Sequence, residues 1–278
     1  MQRFPAIAVL FCLPALAAAE PDTIDSALQR MYDFNFPASQ DILTRYISQH
    51  PQDPLPFAFR ASAYLFYELD RMSILESEFF TDDDRIADKK KKLDPDPLVR
   101  KKFLEAVHDT EMRANVALRA DPNDRQALFA MCIAQGVSTD YMAFVEKRQI
   151  ASLSVAKTSN LYAQRLMKLD PKFYDAYLTA GISEYMVGSL PFFIRWFVHF
   201  DNIAGDKKRG VQRLEQVARE GHYFRPFSKI LLATIALREK RPRDAQRYLV
   251  ELSRDYPENP LFRRELDKVS AKIASAGN

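Results

Sequence analysis

Residues 121–132 read DPNDRQALFAMC, and this stretch contains the pattern on which the fold prediction rests. Pro122 ends a helix, because proline cannot donate a backbone hydrogen bond and restricts the residue before it. Asp124 is of a type that caps the start of the next helix. Leu128 and Cys132, six and ten residues after the proline, then lie on one face of that helix. The stretch therefore predicts two helices joined by a short turn.

We call such a proline-containing turn between two helices a joint. Three further joints have the same arrangement, at residues 50–53 (HPQD), 170–173 (DPKF) and 256–259 (YPEN). Small or hydroxyl residues recur twelve positions before the four prolines: Ser39, Thr110, Ser159 and Ala245. Three of the joints also share an apolar residue six positions after the proline and a small residue ten after: Phe57 and Ala61, Leu128 and Cys132, Tyr177 and Gly181. Small side chains at fixed places predict that the two helices of each pair cross closely.

The segments between these joints have helical periodicity. Apolar residues fall three or four positions apart through Phe57–Phe79, which predicts an amphipathic helix over that span. Similar stripes follow near residues 211–218, 227–235 and 245–252, and no stretch alternates convincingly with period two. We therefore predict an all-α fold.

The joints and small positions resemble the tetratricopeptide repeat (TPR), a 34-residue helix–turn–helix unit. The resemblance covers most of residues 24–275 and implies a solenoid of stacked helix pairs, forming a single domain over residues 20–278. Successive joints are 71 and 49 residues apart at Pro51, Pro122 and Pro171, which exceeds one repeat. Lengthened helices and inserts are therefore expected in the middle of the chain.

A second, more particular resemblance involves the stretch EYMVGSLP (184–191), Arg195-Trp196 and AGDKKRG (204–210). These residues are similar to the inclusion-body-clearance/tetratricopeptide-repeat-39 family and its exported bacterial relatives. Eukaryotic members of that family act in interactions at or near membranes, not in catalysis. The present chain is shorter than they are and begins with an export signal, so no specific function is carried over.

Composition and motifs exclude several classes of function. Glycine supplies 7 of 278 residues, which disfavours folds with glycine-rich phosphate loops. Lys and Arg number 40 against 37 Asp and Glu, so charge gives no case for nucleic-acid binding. The four histidines (His50, His108, His199 and His222) are far apart, and no metal-binding or nucleophile motif occurs. We predict no metal, no cofactor and no enzymatic activity.

Two segments interrupt the helical pattern. Residues of about 80–97 contain an acidic run at Asp82–Asp84 and a basic run at Lys89–Lys92, and we interpret them as a solvated insert. The stretch LPFFIRWFVHF at about 190–200 contains four phenylalanines and the one tryptophan of the chain, Trp196. It is too short to span a bilayer. It either packs into the solenoid, which we favour, or contacts a membrane surface.

A curved stack of helix pairs offers a concave surface for binding. We predict a scaffold or adaptor that binds a protein, a peptide or an envelope component there, or alternatively a carrier of a small apolar or lipid-like molecule. The candidate groove residues are Phe129, Ile133, Leu178, Ile182, Tyr185, Met186 and Trp196. Such an apolar groove requires a cover, for which the nearest apolar candidate in sequence is the segment 190–200.

The first twenty residues predict export. Arg3 precedes an apolar run from Phe4 to Leu16, and Ala17–Ala19 supplies the small residues of a cleavage site. Removal of this signal would leave Cys132 as the one cysteine, so the protein would reach the periplasm or the medium without an internal disulfide.

We expect cleavage between Ala19 and Glu20, because this bond follows an A-x-A site. N-terminal sequencing and intact mass of the secreted protein would then start at Glu20. An intact Met1, or a lipid attached to Cys12, would contradict this prediction.

Overall fold

The structure is a computed structural model that describes residues 22–76, 93–189 and 205–276. Every regular element in these residues is helical, which confirms the all-α prediction. The described residues form eleven α-helices in this order: α1 Ile24–Tyr32, α2 Phe36–Gln49, α3 Leu55–Arg71, α4 Pro97–Ala120, α5 Arg125–Asp140, α6 Gln149–Leu169, α7 Tyr177–Ser189, α8 Lys207–Glu220, α9 Arg225–Arg238, α10 Pro242–Asp255 and α11 Pro260–Ala276.

Helices that are consecutive in the sequence pack against each other, and α3 also packs against α5. The four proline joints lie between helices, as predicted. α4 and α6 are the longest helices, with 24 and 21 residues, whereas α8, α9 and α10 have 14 each. The middle of the chain therefore has lengthened helices. Most of the predicted insert at 80–97 lies outside the described residues, and α4 begins at Pro97.

Side chains in the joints cap the helices that follow. The Asp124 carboxylate accepts a hydrogen bond from the backbone N–H of Ala127 at 2.9 Å. Asn259 accepts one from Leu261 at 2.8 Å, and Asp206 accepts one from Arg209 at 3.0 Å. These bonds satisfy backbone donors that the first turn of a helix leaves unpaired.

The third helix is shorter than its sequence pattern predicts. α3 ends at Arg71, because Ser73 adopts a left-handed conformation with φ 55°. The chain then turns back, and the N–H of Ile74 donates to the carbonyl of Leu69. Ile74 is buried in the same cluster as the end of α3, so the apolar stripe continues although the helix has ended.

The predicted small positions lie at close helix crossings. Ser39, Thr110, Ser159 and Ala245 are all buried. Between α5 and α6, the Ser159 hydroxyl donates to the carbonyl of Cys132 at 2.8 Å. Cys132 is itself buried, and this burial raises the pKa of its thiol. This placement supports the interpretation of Cys132 as a structural residue.

Among the described residues, the helix that continues from Arg125 to Val145 is long and apolar enough to span a bilayer. However, 56% of its most apolar window is buried inside the protein, so packing in the core accounts for the composition. It ends in a π-helical turn, Tyr141–Val145, where Tyr141 stacks on Phe103 with ring centroids 4.3 Å apart.

Four glycines allow α7 and α8 to approach each other at backbone distance. Gly181 and Gly188 lie on α7, Gly205 precedes α8 and Gly210 lies in its first turns. A Cβ atom on Gly210 would lie 2.6 Å from the backbone nitrogen of Tyr185. A Cβ atom on Gly205 would lie 2.6 Å from the backbone nitrogen of Gly188. No ordinary side chain fits at these contacts without moving the helices apart.

We expect Gly210→Ala to destabilise the protein by about 1–3 kcal/mol, since the added methyl group meets backbone that cannot give way. Gly136→Ala, in α5, is the matched control. Its Cβ would make an ordinary 3.5 Å contact with the Ser159 hydroxyl. The control should gain about 1 kcal/mol from helix propensity. Urea unfolding followed by circular dichroism measures both changes, and equal stability of the two variants would show that the helices do not touch at Gly210.

Candidate functional site

The predicted groove residues do not line a single surface. Phe129 and Ile133 are buried in a central cluster, whereas Leu178 and Tyr185 are buried in a second cluster against α8 and α9. Ile182 packs at the edge of this second cluster, and Met186 is 59% exposed. Trp196 and the rest of the segment 190–200 lie outside the described residues. The physical reason is the glycine contact, which directs one face of α7 towards α8.

Aromatic side chains from α3, α5 and α9 meet across the interior. The Phe59 ring lies 5.2 Å from Tyr223 in the joint before α9, and the Phe66 ring lies 5.5 Å from Phe227 in α9. Phe129 of α5 contacts Phe224 at 5.5 Å. These faces of α3 and α5, the second of which carries the predicted groove residue Phe129, are therefore covered by residues of α9 and of the joint that precedes it.

The first helix, α1, contacts the joint between α10 and α11. Tyr32 of α1 packs against Tyr256, with ring centroids 5.3 Å apart. The buried side chain of Asn259 donates to the carbonyl of Tyr32 at 2.7 Å. An ion pair of 3.7 Å joins Arg30 to Glu258. The first helix pair thus contacts the joint between the last two helices, and the stack closes on itself.

One cavity of about 600 Å³ opens at the end of the stack where the joints gather. Apolar and aromatic residues line part of it: Ile24, Tyr46, Leu55, Phe129, Phe173 and Tyr223. The polar part of the lining comes from one segment and consists of Asp121 and Asn123–Gln126. Phe129 is the predicted groove residue that reaches this cavity. Since Ile24, Leu55 and Arg125 each begin a helix, the cavity lies where α1, α3 and α5 start.

Hydrogen bonds hold the polar rim in place. Arg125 donates to the Asp170 carboxylate at 2.7 Å, which links two joints. Gln126 donates to Asp53 at 2.8 Å, which links the joint at 121–124 to the joint at 50–53. Asp53 also accepts from the N–H of Leu55, and burial raises the pKa of this carboxyl. Three of the proline joints are therefore tied together around the opening.

A buried carboxylate positions Tyr223 at the cavity. Asp175 accepts hydrogen bonds from the backbone N–H groups of His222 and Phe224, at 3.0 and 2.8 Å. Tyr223 lies between these two residues, and its ring stacks on Phe129 with centroids 5.9 Å apart. Burial, with a contribution from the nearby acids Asp25 and Asp175, raises the pKa of Tyr223 to about 12. Its hydroxyl stays protonated at neutral pH.

This cavity was not predicted from the sequence, although the sequence contains a signal for it. The joints of alternate helices lie at one end of an antiparallel stack, so Asp53, Asp124 and Phe173 had to be neighbours. The local role of such acids, seen in the cap that Asp124 forms on α5, does not by itself indicate a shared surface. Among the described residues, no group of three His, Cys, Asp or Glu side chains has the arrangement of a metal site.

We expect Asp175→Ala to destabilise the protein by about 1–3 kcal/mol, because two backbone donors lose their acceptor. Asp175→Asn keeps one carbonyl oxygen of the same shape and should lose less. Urea unfolding of the two variants measures the difference. Identical stabilities would mean that the two backbone hydrogen bonds do not hold the joint.

The chain was compared with family models, with curated proteins and with solved structures, and no match was found in any of the three. The cavity and the residues around it are therefore the basis on which a function can be proposed.

Proposed function

We propose that the protein is an exported, non-enzymatic binding protein built from TPR-like helix pairs, and that it binds a segment of a partner protein at the cavity between the joints. The repeat proposal is supported by consecutive helix pairs, proline joints and buried small residues at the crossings. The export proposal is supported by the apolar run and the small residues before Glu20.

The observation that carries the binding proposal is the combination of a filled interior and an open cavity. Peptide binding on the concave face requires free space between the inner helices, and aromatic rings occupy that space. The cavity of about 600 Å³ falls within the usual range for small binding sites, roughly 300–1,000 Å³. This volume suits one or two side chains of a partner rather than a whole helix.

The form of the lining favours a protein segment over an apolar carrier function. A protein that carries a lipid needs an enclosed apolar cavity. This cavity instead has a rim of exposed polar residues between Asp121 and Gln126. A partner segment can place an apolar or aromatic contact on Phe173 and hydrogen-bond to the rim at the same time. A non-enzymatic role is supported by the use of the rim carboxylates as caps and ties between joints.

Photocrosslinking tests the proposal. A benzoylphenylalanine placed at Asn123, on the exposed rim, should form one defined adduct with an envelope protein in the native cell. The same group at Val250, which is 51% exposed on α10 and not part of the cavity, is the control.

The purified adduct partner then allows a direct measurement of affinity. Phe173→Ala should weaken its binding about tenfold or more, because the ring forms part of the cavity lining. Tyr67→Ala removes a partly exposed ring towards the opposite end of α3 and should leave the affinity unchanged. Equal labelling from Asn123 and Val250, or equal affinities of the two variants, would contradict binding at the cavity.

A further inference from the structure

We infer that the cavity accepts a cationic side chain, a lysine ammonium or an arginine guanidinium, from the partner. This inference rests on the proposed function, in which the cavity is the site that the partner occupies. Three observations support it: the charges of the rim, the helix starts whose backbone N–H groups already bond to carboxylates, and the aromatic rings of the lining.

The charges at the opening are mainly negative. Asp121 and Asp124 line the cavity, and Asp53 accepts a hydrogen bond from Gln126, which also lines it. Among the described residues, none of these three carboxylates forms an ion pair within 4 Å. Each accepts hydrogen bonds through its Oδ1 atom, and the described residues give its second oxygen no partner.

Three basic side chains near the opening bind groups other than Asp53, Asp121 and Asp124. Arg125 is the one Lys or Arg in the lining, and it pairs with Asp170 at 2.7 Å. Arg165 donates to the carbonyl of Pro122, so it adds a positive charge beside the rim but forms no ion pair with Asp121 or Asp124. His222 contacts Asp25 at 2.9 Å. An incoming anion would therefore meet unpaired carboxylates, whereas an incoming cation would meet acceptors that are free.

The helix starts do not reverse this balance. The beginning of a helix carries the equivalent of about half a positive charge. At α3 and α5 this charge faces a full negative charge, on Asp53 and Asp124 respectively. The backbone donors that would bind an anion are partly used by the same carboxylates. The net charge at these two helix starts is negative, and a negative charge favours binding of a cation.

Aromatic rings complete the site. Tyr46, Phe129, Phe173 and Tyr223 contribute to the lining, and the face of an aromatic ring attracts a cation. The aliphatic part of a lysine or arginine side chain can also pack on Ile24 and Leu55, with its charged end directed to the rim. Aromatic surface next to unpaired carboxylates is the combination that a long cationic side chain matches.

The test measures binding of short probes to the full mature chain by backbone amide NMR shifts at the rim. Acetyl-Gly-Lys-Gly-amide and its arginine equivalent should bind saturably. The norleucine peptide, which is similar in length but uncharged, and the glutamate peptide should bind at least fivefold more weakly. Binding should also weaken as the salt concentration rises.

A pair of variants removes the charge and keeps the caps. Asp121→Asn combined with Asp124→Asn leaves a side-chain oxygen at each position, so the start of α5 stays capped. This double variant should lose at least fivefold affinity for the lysine peptide. Asp267→Asn removes the same kind of charge from an exposed position on α11 and should bind like the wild type. Circular dichroism checks that all variants are folded.

The contrary outcomes are distinct. Preference for the glutamate peptide, or equal binding of norleucine and lysine peptides, would overturn the inference. So would butylammonium binding as tightly as the lysine peptide, because the ligand would then be a small amine. If no probe binds while the Asn123 crosslink still yields its adduct, the cationic inference fails and the proposed function stands. Loss of both results would overturn both.

Discussion

The packing of aromatic rings between α3, α5 and α9 is the constraint on which the rest of the structure depends. Phe59, Phe66 and Phe129 meet Tyr223, Phe224 and Phe227 from the opposite side of the stack. Complete burial of one such ring is worth about 1.5–3 kcal/mol. The exposed ion pair between Arg30 and Glu258 contributes at most about 1 kcal/mol. Apolar burial, and not surface charge, therefore holds α3 and α5 against α9.

This closure determines where a partner can bind. An open stack of helix pairs would offer its inner face, but here that face is the core of the protein. In the part of the chain that the structure describes, the cavity opens at the end of the stack, where the joints approach one another. The residues that cap and connect the helices consequently also form the rim of the cavity, and Asp53 and Asp124 serve both purposes.

The positions of the glycines also reflect close packing between helices. Four of the seven glycines lie at the contact of α7 with α8, where a side chain would meet backbone. The helix ends that need a left-handed residue use other types instead, such as Ser73 and Lys240. A non-glycine residue in that conformation costs about 1 kcal/mol. Close helix contact therefore requires glycine at these four positions, and the end of α8 requires it at Gly221, where a Cβ atom would lie 2.6 Å from the carbonyl oxygen of Val217.

The sequence by itself determined the helical class, the four proline joints, the capping by Asp124 and Asn259, and the buried small residues at the crossings. These features depend on neighbours within one or two turns, so periodicity and residue type reveal them. Only the tertiary structure decided that α3 ends at Arg71, that α7 turns to α8, and that the interior is filled from α1 and α9. Contacts such as Phe66 with Phe227 join residues more than 150 positions apart, and they depend on how each helix between them packs on the next. No local sequence pattern encodes this combined geometry, and the cavity forms because of it.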